Sequence, residues 1–229
     1  MKKGKLIVID GTDGCGKATQ AALLVSLLKK EGYKVKTIDF PRYYDNFFGK
    51  LIGECLAGKH GNFLAVDSHI ASVLYAADRF ESGAIIKKWV EQGYIVVTDR
   101  YVSSSQIHQA AKIKNKKERK KFLDWLDQME YEVFKIPKPD MVMYLDVSVE
   151  LSQKLMRNKD QAYKKRYLEG SFDQAENDIK HLTDSKKNSR DLIREYGWVQ
   201  IDCTSRGKML SREDIAEKIY AKIKPLVKK

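Results

Sequence analysis

The sequence predicts a single doubly wound α/β domain. Three observations carry that expectation. Five short apolar runs alternate with stretches of helical hydrophobic spacing along the 229 residues, the order that gives parallel strands joined by helical crossovers. The first run, residues 6–9, passes through a glycine-rich loop directly into the helical pattern Ala21, Leu24, Leu27 and Leu28. No internal repeat, low-complexity segment or linker divides the chain, and its length suffices to bury one full core.

The loop is the most informative stretch. Gly11, Gly16 and Lys17 have the spacing of a phosphate-binding loop, between a strand and a helix as that motif requires. Glycines let backbone N–H groups turn inward around phosphate oxygens, the helix start adds its positive end, and Lys17 adds a formal charge. Ala18 stands where the motif usually carries a Mg²⁺-binding hydroxyl, with Thr19 one residue later, so phosphate binding is better founded than the metal shell. A plain glycine turn between strand and helix is the competing explanation.

After the first helix, Glu31-Gly32-Tyr33 breaks the pattern, and Val35, Ile38 and Phe40 mark a second strand ended by Pro41. Phe47, Phe48, Leu51, Ile52, Cys55 and Leu56 recur at helical spacing until Gly58, and a long helix is expected over about 67–92. Asp78 and Arg79 interrupt its apolar neighbourhood, which predicts that part of it faces a cleft. A third strand at 94–98 runs into Asp99-Arg100-Tyr101. Ligands of open parallel sheets bind at the carboxyl ends of strands, so Asp99 is expected to hold Mg²⁺ or orient the attacking oxygen, and Arg100 to clamp a phosphate. Helix capping and local pairing would explain the same two residues.

Helices are expected at 102–112 and 117–134, a strand at 141–146 after Pro137-Lys138-Pro139, and a helix from about 149 to 157. Residues 158–171 turn polar and basic, with Lys159, Lys164, Lys165 and Arg166 around Tyr163 and Tyr167. This composition suits a lid, at about 157–172, that closes cations over phosphates, with a solvated basic loop as the competing explanation. A helix at about 173–196, a fifth strand at 198–202 and a closing amphipathic helix through Ile215, Ile219, Ile223 and Leu226 complete the chain.

The formal net charge of +12, from 43 Lys and Arg against 31 Asp and Glu, favours anionic partners. It is spread over clusters at 112–121, 164–166 and the final two lysines, which fits solvated helix faces better than a nucleic-acid groove. Cys15, Cys55 and Cys203 show no paired metal-ligand spacing and suggest a reduced, cytoplasmic setting. No signal-peptide segment or membrane span is expected. Cys15 reads as a packing residue whose place at a helix start would depress its thiol pKa.

Together the loop Gly11-Thr12-Asp13-Gly14-Cys15-Gly16-Lys17, Thr19-Gln20, Phe40-Pro41-Arg42, Leu74-Tyr75-Ala76-Ala77-Asp78-Arg79-Phe80, Asp99-Arg100-Tyr101 with Ser104, Ser105 and Gln109, and the basic stretch ending Arg166-Tyr167 resemble the thymidylate kinase family, nearly end to end. The resemblance implies a P-loop NTPase-type sheet of about five parallel strands with helices on both faces and a lid. It implies transfer of the ATP γ-phosphoryl group to dTMP with Mg²⁺, and a homodimer. On that basis residues 11 and 13–19 would hold ATP, with Lys17 on its phosphates. Asp99 and Asp13 would support the metal, with Asp13 compensating for Ala18 or meeting the acceptor sugar. Arg100 and Arg42 would take the acceptor phosphate. Tyr75 would stack on the base, Arg79 would donate to its edge, and Phe40, Ser104, Ser105 and Gln109 would line the acceptor pocket, although Tyr75 alone would pass for a core aromatic. Gly14 replaces an arginine that some members carry, so Arg157 or Arg166 of the lid would supply that cation. A deoxynucleoside kinase, another nucleoside monophosphate kinase, and a basic P-loop module that binds nucleic acid or a partner without phosphoryl transfer are the rival readings.

Overall fold

A computed structural model describes residues 3–157, 168 and 173–228. The elements run β1 (Lys5–Asp10), α1 (Lys17–Lys30), β2 (Val35–Asp39), α2 (Phe47–Leu56), α3 (Ser68–Glu91), β3 (Ile95–Asp99), α4 (Val102–His108), α5 (Lys116–Gln128), β4 (Met141–Asp146), α6 (Val149–Arg157), α7 (Gln174–Asn177), α8 (Ile179–Tyr196), β5 (Val199–Asp202), β6 (Thr204–Ser205), β7 (Lys208–Met209) and α9 (Arg212–Val227).

β1 to β5 form one parallel sheet in the order β2-β3-β1-β4-β5. Side chains alternate across it, so one strand feeds two cores. Leu6 and Val8 of β1 join Val96, Val142 and residues of α3, α4, α5 and α8 on one face. Ile7 and Ile9 join Val97, Met143 and residues of α1 and α9 on the other. The three central strands, β3, β1 and β4, are covered on both faces and read as continuous apolar runs, whereas the edge strands β2 and β5 show only scattered apolar positions between polar ones. This is an α/β fold of the P-loop NTPase kind, with helices on both faces.

Sheet order also fixes where a ligand sits. The chain leaves β1 toward β2 on one side and returns from β3 to β4 on the other, so β1 and β3 flank the switch point, where a crevice opens at their carboxyl ends. In register, Asp99 lies beside Ile9 on one side and Asp39 on the other, level with the start of the glycine loop.

Several boundaries differ from the expectations. The helix expected at 102–112 ends at His108 and continues as a 3₁₀ turn at Ala110–Lys112, and the one expected at 117–134 passes after Gln128 into a π-helical turn, Met129–Val133. The helix expected at 173–196 is two: the Asp178 side chain accepts from the His181 N–H at 2.9 Å and starts α8 afresh. The β6–β7 hairpin was not foreseen; its turn uses Arg206 and Gly207, both with positive φ. The expected lid falls almost wholly outside the described residues.

Candidate active site

β1 ends on Asp10, which is fully buried yet completely satisfied. Its carboxylate accepts from the Gly11 N–H at 2.8 Å, Ser103 Oγ at 2.5 Å and Ser104 Oγ at 2.8 Å, so the mouth of the loop is pinned to α4. The loop that follows needs glycine most clearly at position 14. There φ is +79°, and an added Cβ would lie 2.5 Å from the Ser152 carbonyl oxygen of α6. Any side chain at position 14, an arginine included, would meet the backbone of α6 there.

Lys17 opens α1, and its Nζ donates to the carbonyls of Gly11 at 3.0 Å and Thr12 at 2.9 Å, with Asp13 Oδ1 4.0 Å away. Residues 13–20 all line one cleft, so the amides at the start of α1 and the Lys17 cation are presented together where an anion is best held. Gly11 lies behind that wall, against Cys15 and Leu145. Cys15 is buried, and burial pushes its thiol pKa up against the pull of Lys17, contrary to the expected depression.

Asp99 and Arg100 sit across the crevice from Lys17. Arg100 takes a left-handed φ of 67°, a conformation uncommon without glycine, and its guanidinium pairs with Asp13 and donates to Ser104 Oγ at 3.5 Å. Asp99 Oδ1 is buried without a hydrogen-bond partner. Burial raises its carboxyl pKa, opposed by the Lys17 and Arg100 charges and reinforced by Asp10 and Asp39. Two cations and several carboxylates therefore meet in one desolvated spot, where charge interactions are strong.

From there the cleft continues along α3 and α4. Tyr75 and Arg79, one helical turn apart, both line it, together with Phe40, Ser104, Ser105 and Gln109. Tyr75 packs on Phe63 with ring centroids 6.0 Å apart, and Phe40 packs on Tyr101 at 5.8 Å. Arg79 is 2% exposed and forms an ion pair with Glu130, which is fully buried on the π-helical turn. Its Nε donates to Glu130 Oε1 at 3.0 Å, Nη2 donates to the same oxygen and to Ser105 Oγ at 2.9 Å, and Nη1 donates to the Tyr101 carbonyl at 3.4 Å. Four of the five guanidinium N–H groups are thereby used among the described residues, leaving one on Nη1 for a ligand.

The whole cleft encloses about 880 Å³ and runs from Met209, Leu210 and Arg212 at one end, past Lys17, to Tyr75 and Gln109 at the other. That is near the upper end of the roughly 300–1,000 Å³ usual for small-molecule sites. Nearly all the expected residues meet in it. Arg42 does not line it: its guanidinium pairs with Asp45 at 2.8 Å, and its backbone N–H donates to Asp78. Asp78 likewise ties α3 to Arg42 and Asn46 instead of facing the cleft as expected. Arg157 is the last residue of α6, and Arg166 lies outside the described residues.

Asp10, Ser103, Glu130, His181 and the hairpin at the far end were not singled out in the sequence. An acidic residue closing β1 just before the loop was a usable signal for Asp10. No local signal marked Glu130, whose partner is 51 residues away.

Among the described residues no three His, Cys, Asp or Glu side chains cluster as a metal cage. Mg²⁺ in phosphoryl-transfer sites takes one or two carboxylates and completes its shell with water and phosphate oxygens. The unpartnered Asp99 oxygen, with Asp13 on the facing loop, fits that pattern.

A family model for thymidylate kinase matches residues 9–215. The chain is 34% identical over 158 residues to thymidylate kinase of Mycobacterium tuberculosis, covering 68% of this chain and 72% of that one. It is 32% identical over 148 residues to human thymidylate kinase, covering 65% and 63%. A solved thymidylate kinase structure from Candida albicans is similar in fold, with a TM-score of 0.72 at 23% identity over 98% of this chain and 92% of the other.

Proposed function

Because the chain belongs to the thymidylate kinase family, we propose that it transfers the γ-phosphoryl group of ATP to dTMP, giving dTDP and ADP. The observation that carries this reading is continuity. One cleft joins the Lys17 loop to the Tyr75–Arg79 wall, with Asp99 and Arg100 between them. Such a cleft has room to set two phosphorylated nucleotides end to end.

Phosphoryl transfer asks for positioning and charge neutralisation more than covalent chemistry. The loop amides, the α1 start and Lys17 hold the ATP phosphates, and the β6–β7 hairpin with Arg212 borders the far end of that half. Arg100 holds the acceptor phosphate, oriented by Asp13 and Ser104. Asp99 and Asp13 hold Mg²⁺, which when bound neutralises charge on the transferred group. Tyr75 stacks on the thymine ring, and the remaining Nη1 N–H of Arg79 donates to its edge. Phe40, Ser104, Ser105 and Gln109 close around the base and sugar. Arg157 or Arg166 supplies the lid cation in place of an arginine at position 14.

The working unit is a homodimer in the cytoplasm. Ile70, Val73 and Phe80 recur on one exposed face of α3 beside Phe47 of α2, which is 71% exposed, and this stripe suits a second copy. Among the described residues no helix is long and apolar enough to cross a membrane, and the three cysteines are free and buried, in keeping with a reducing compartment.

An acceptor panel tests the reaction. With ATP and Mg²⁺, ADP should form much faster with dTMP than with dUMP, dCMP, AMP or thymidine, and a clear preference for any other acceptor would overturn the assignment.

A further inference from the structure

Two histidines in the cleft wall are left over by this account, and they touch each other. His108, the last residue of α4, and His181, in the first turn of α8, stack with ring centroids 5.3 Å apart and planes 23° from parallel. His108 Nδ1 lies 3.2 Å from His181 Nε2 and 3.2 Å from Ser185 Oγ, while His108 Nε2 lies 3.4 Å from Arg100 Nη1. Both rings line the cleft.

Donor and acceptor roles follow from chemistry alone. A guanidinium has only donors, so the His108 Nε2 that faces Arg100 carries the lone pair. A neutral imidazole with its lone pair on Nε2 carries its proton on Nδ1. That N–H points to His181 Nε2 and Ser185 Oγ, so His181 Nε2 is an acceptor and its own proton sits on Nδ1. Every contact is satisfied only if both rings are neutral. The surroundings agree: burial holds both histidines below the ordinary range, with Lys17, Arg100 and His181 adding to the effect on His108 and Asp13 opposing it. Around His181, Asp13, Asp178 and Asp184 pull the other way and Lys112 assists burial.

α8 is fixed to α4 at the same place. Asn188 Nδ2 donates to the Gln106 carbonyl at 2.9 Å and the Ile107 carbonyl at 3.0 Å, so the second ring is mounted on a helix that cannot drift from the first. We propose that His108 and His181 are positioning residues for Arg100: His108, as the Nδ1–H tautomer, accepts from Arg100 Nη1 and donates to His181, fixing one terminal nitrogen of the guanidinium while Asp13 pairs with the other. The inference rests on the acceptor-phosphate role given to Arg100 above. It assigns α8 a part in the site, because the Arg100 orientation then depends on a helix that follows the lid in sequence.

Two readouts test it. In the full chain labelled with ¹⁵N, a long-range ¹H–¹⁵N spectrum at pH 8 should show His108 protonated on Nδ1 and unprotonated on Nε2; protonation on Nε2 would overturn the relay. In kinetics, His108→Phe and His181→Phe should each lower kcat/KM for dTMP by roughly 10- to 100-fold with little change in KM for ATP, the scale expected of a misplaced positioning group. The double variant should fall no lower than the weaker single, because one relay is broken in each case. His108→Gln, whose Oε1 accepts where Nε2 did, should recover most of the loss. Multiplying losses, or no recovery with Gln, would mean that the rings only pack. The spectrum needs no turnover, so a chain that fails to phosphorylate dTMP would refute the proposed reaction while the tautomer still decides the relay.

Discussion

At the scale of single residues, the candidate site depends on a few buried charges whose partners are specific. Lys17 is 7% exposed and held by two carbonyls, so its cation is already placed where phosphate oxygens would arrive. Lys17→Ala should lower kcat by about 10²–10³-fold, the usual cost of one lost electrostatic donor, with the thermal transition nearly unchanged. Arg79 and Glu130 behave as a unit. Glu130→Ala leaves the guanidinium buried and uncompensated and should cost about 3–5 kcal/mol in denaturant unfolding, while Glu130→Gln, which keeps an acceptor, should cost much less. Arg79→Ala should raise KM for dTMP far more than KM for ATP, and equal losses would sink its base-reading role. Lys17, Asp99, Arg100, Tyr75 and Arg79 were legible because each lies in a short motif. Glu130 and His181 were not, because what makes them matter is a partner on a different element.

At the scale of elements, boundaries are set by contacts as much as by pattern. The three central strands were legible from their apolar runs, the edge strands β2 and β5 from spaced apolar residues between helices, and the long α3 from its helical pattern, which the structure shows capped by the Asp67 side chain accepting from the His69 and Ile70 N–H groups. The breaks after His108 and Gln128 were not, since helical periodicity continues through them and only tertiary packing selects the turn, and the break at Asp178 was missed although that residue's side chain caps α8. The two-residue strands of the hairpin are too short for a period-two signal, leaving Gly207 as the one mark. The loop against α6 gives a prediction at this scale: Gly14→Ala forces a Cβ onto the Ser152 carbonyl at a left-handed φ. A backbone misfit of about 1–3 kcal/mol should lower Tm by several degrees in a chain of this size, and an unchanged Tm would contradict the contact.

The α4–α8 junction adds a pH dependence. Both histidines are held below the ordinary value of 6.5, so below that pH the unfolded chain binds protons that the folded chain refuses. Stability is therefore whole above about pH 6.5 and is lost as pH falls toward the folded pKa values. Comparing Tm at pH 7.5 and 5.5, the drop should be larger for the native sequence than for a His108→Gln, His181→Gln double variant; equal drops would contradict buried neutral rings.

At the scale of the molecule, the sheet order decides function. Placing β3 beside β1 brings Asp99 and Arg100 level with the phosphate loop, and the reversal of strand order there leaves the crevice open. The fold class was legible because strand and helix alternate without exception in the sheet-forming part of the chain, and the cleft was legible in outline because strand ends and loop motifs name its walls. Its length was not, since the far end is built by Met209, Leu210 and Arg212. The net charge of +12 takes on a narrower meaning beside this cleft, as a field that favours polyanionic nucleotides.

The central claim is that this cleft joins a triphosphate donor to a thymidine monophosphate acceptor. Following the label from γ-³²P-ATP tests it most directly. The account predicts labelled dTDP, in equal amount to ADP, when dTMP is supplied, and no labelled nucleotide when thymidine replaces it. Label appearing in dTMP from thymidine, or only in free phosphate, would contradict it.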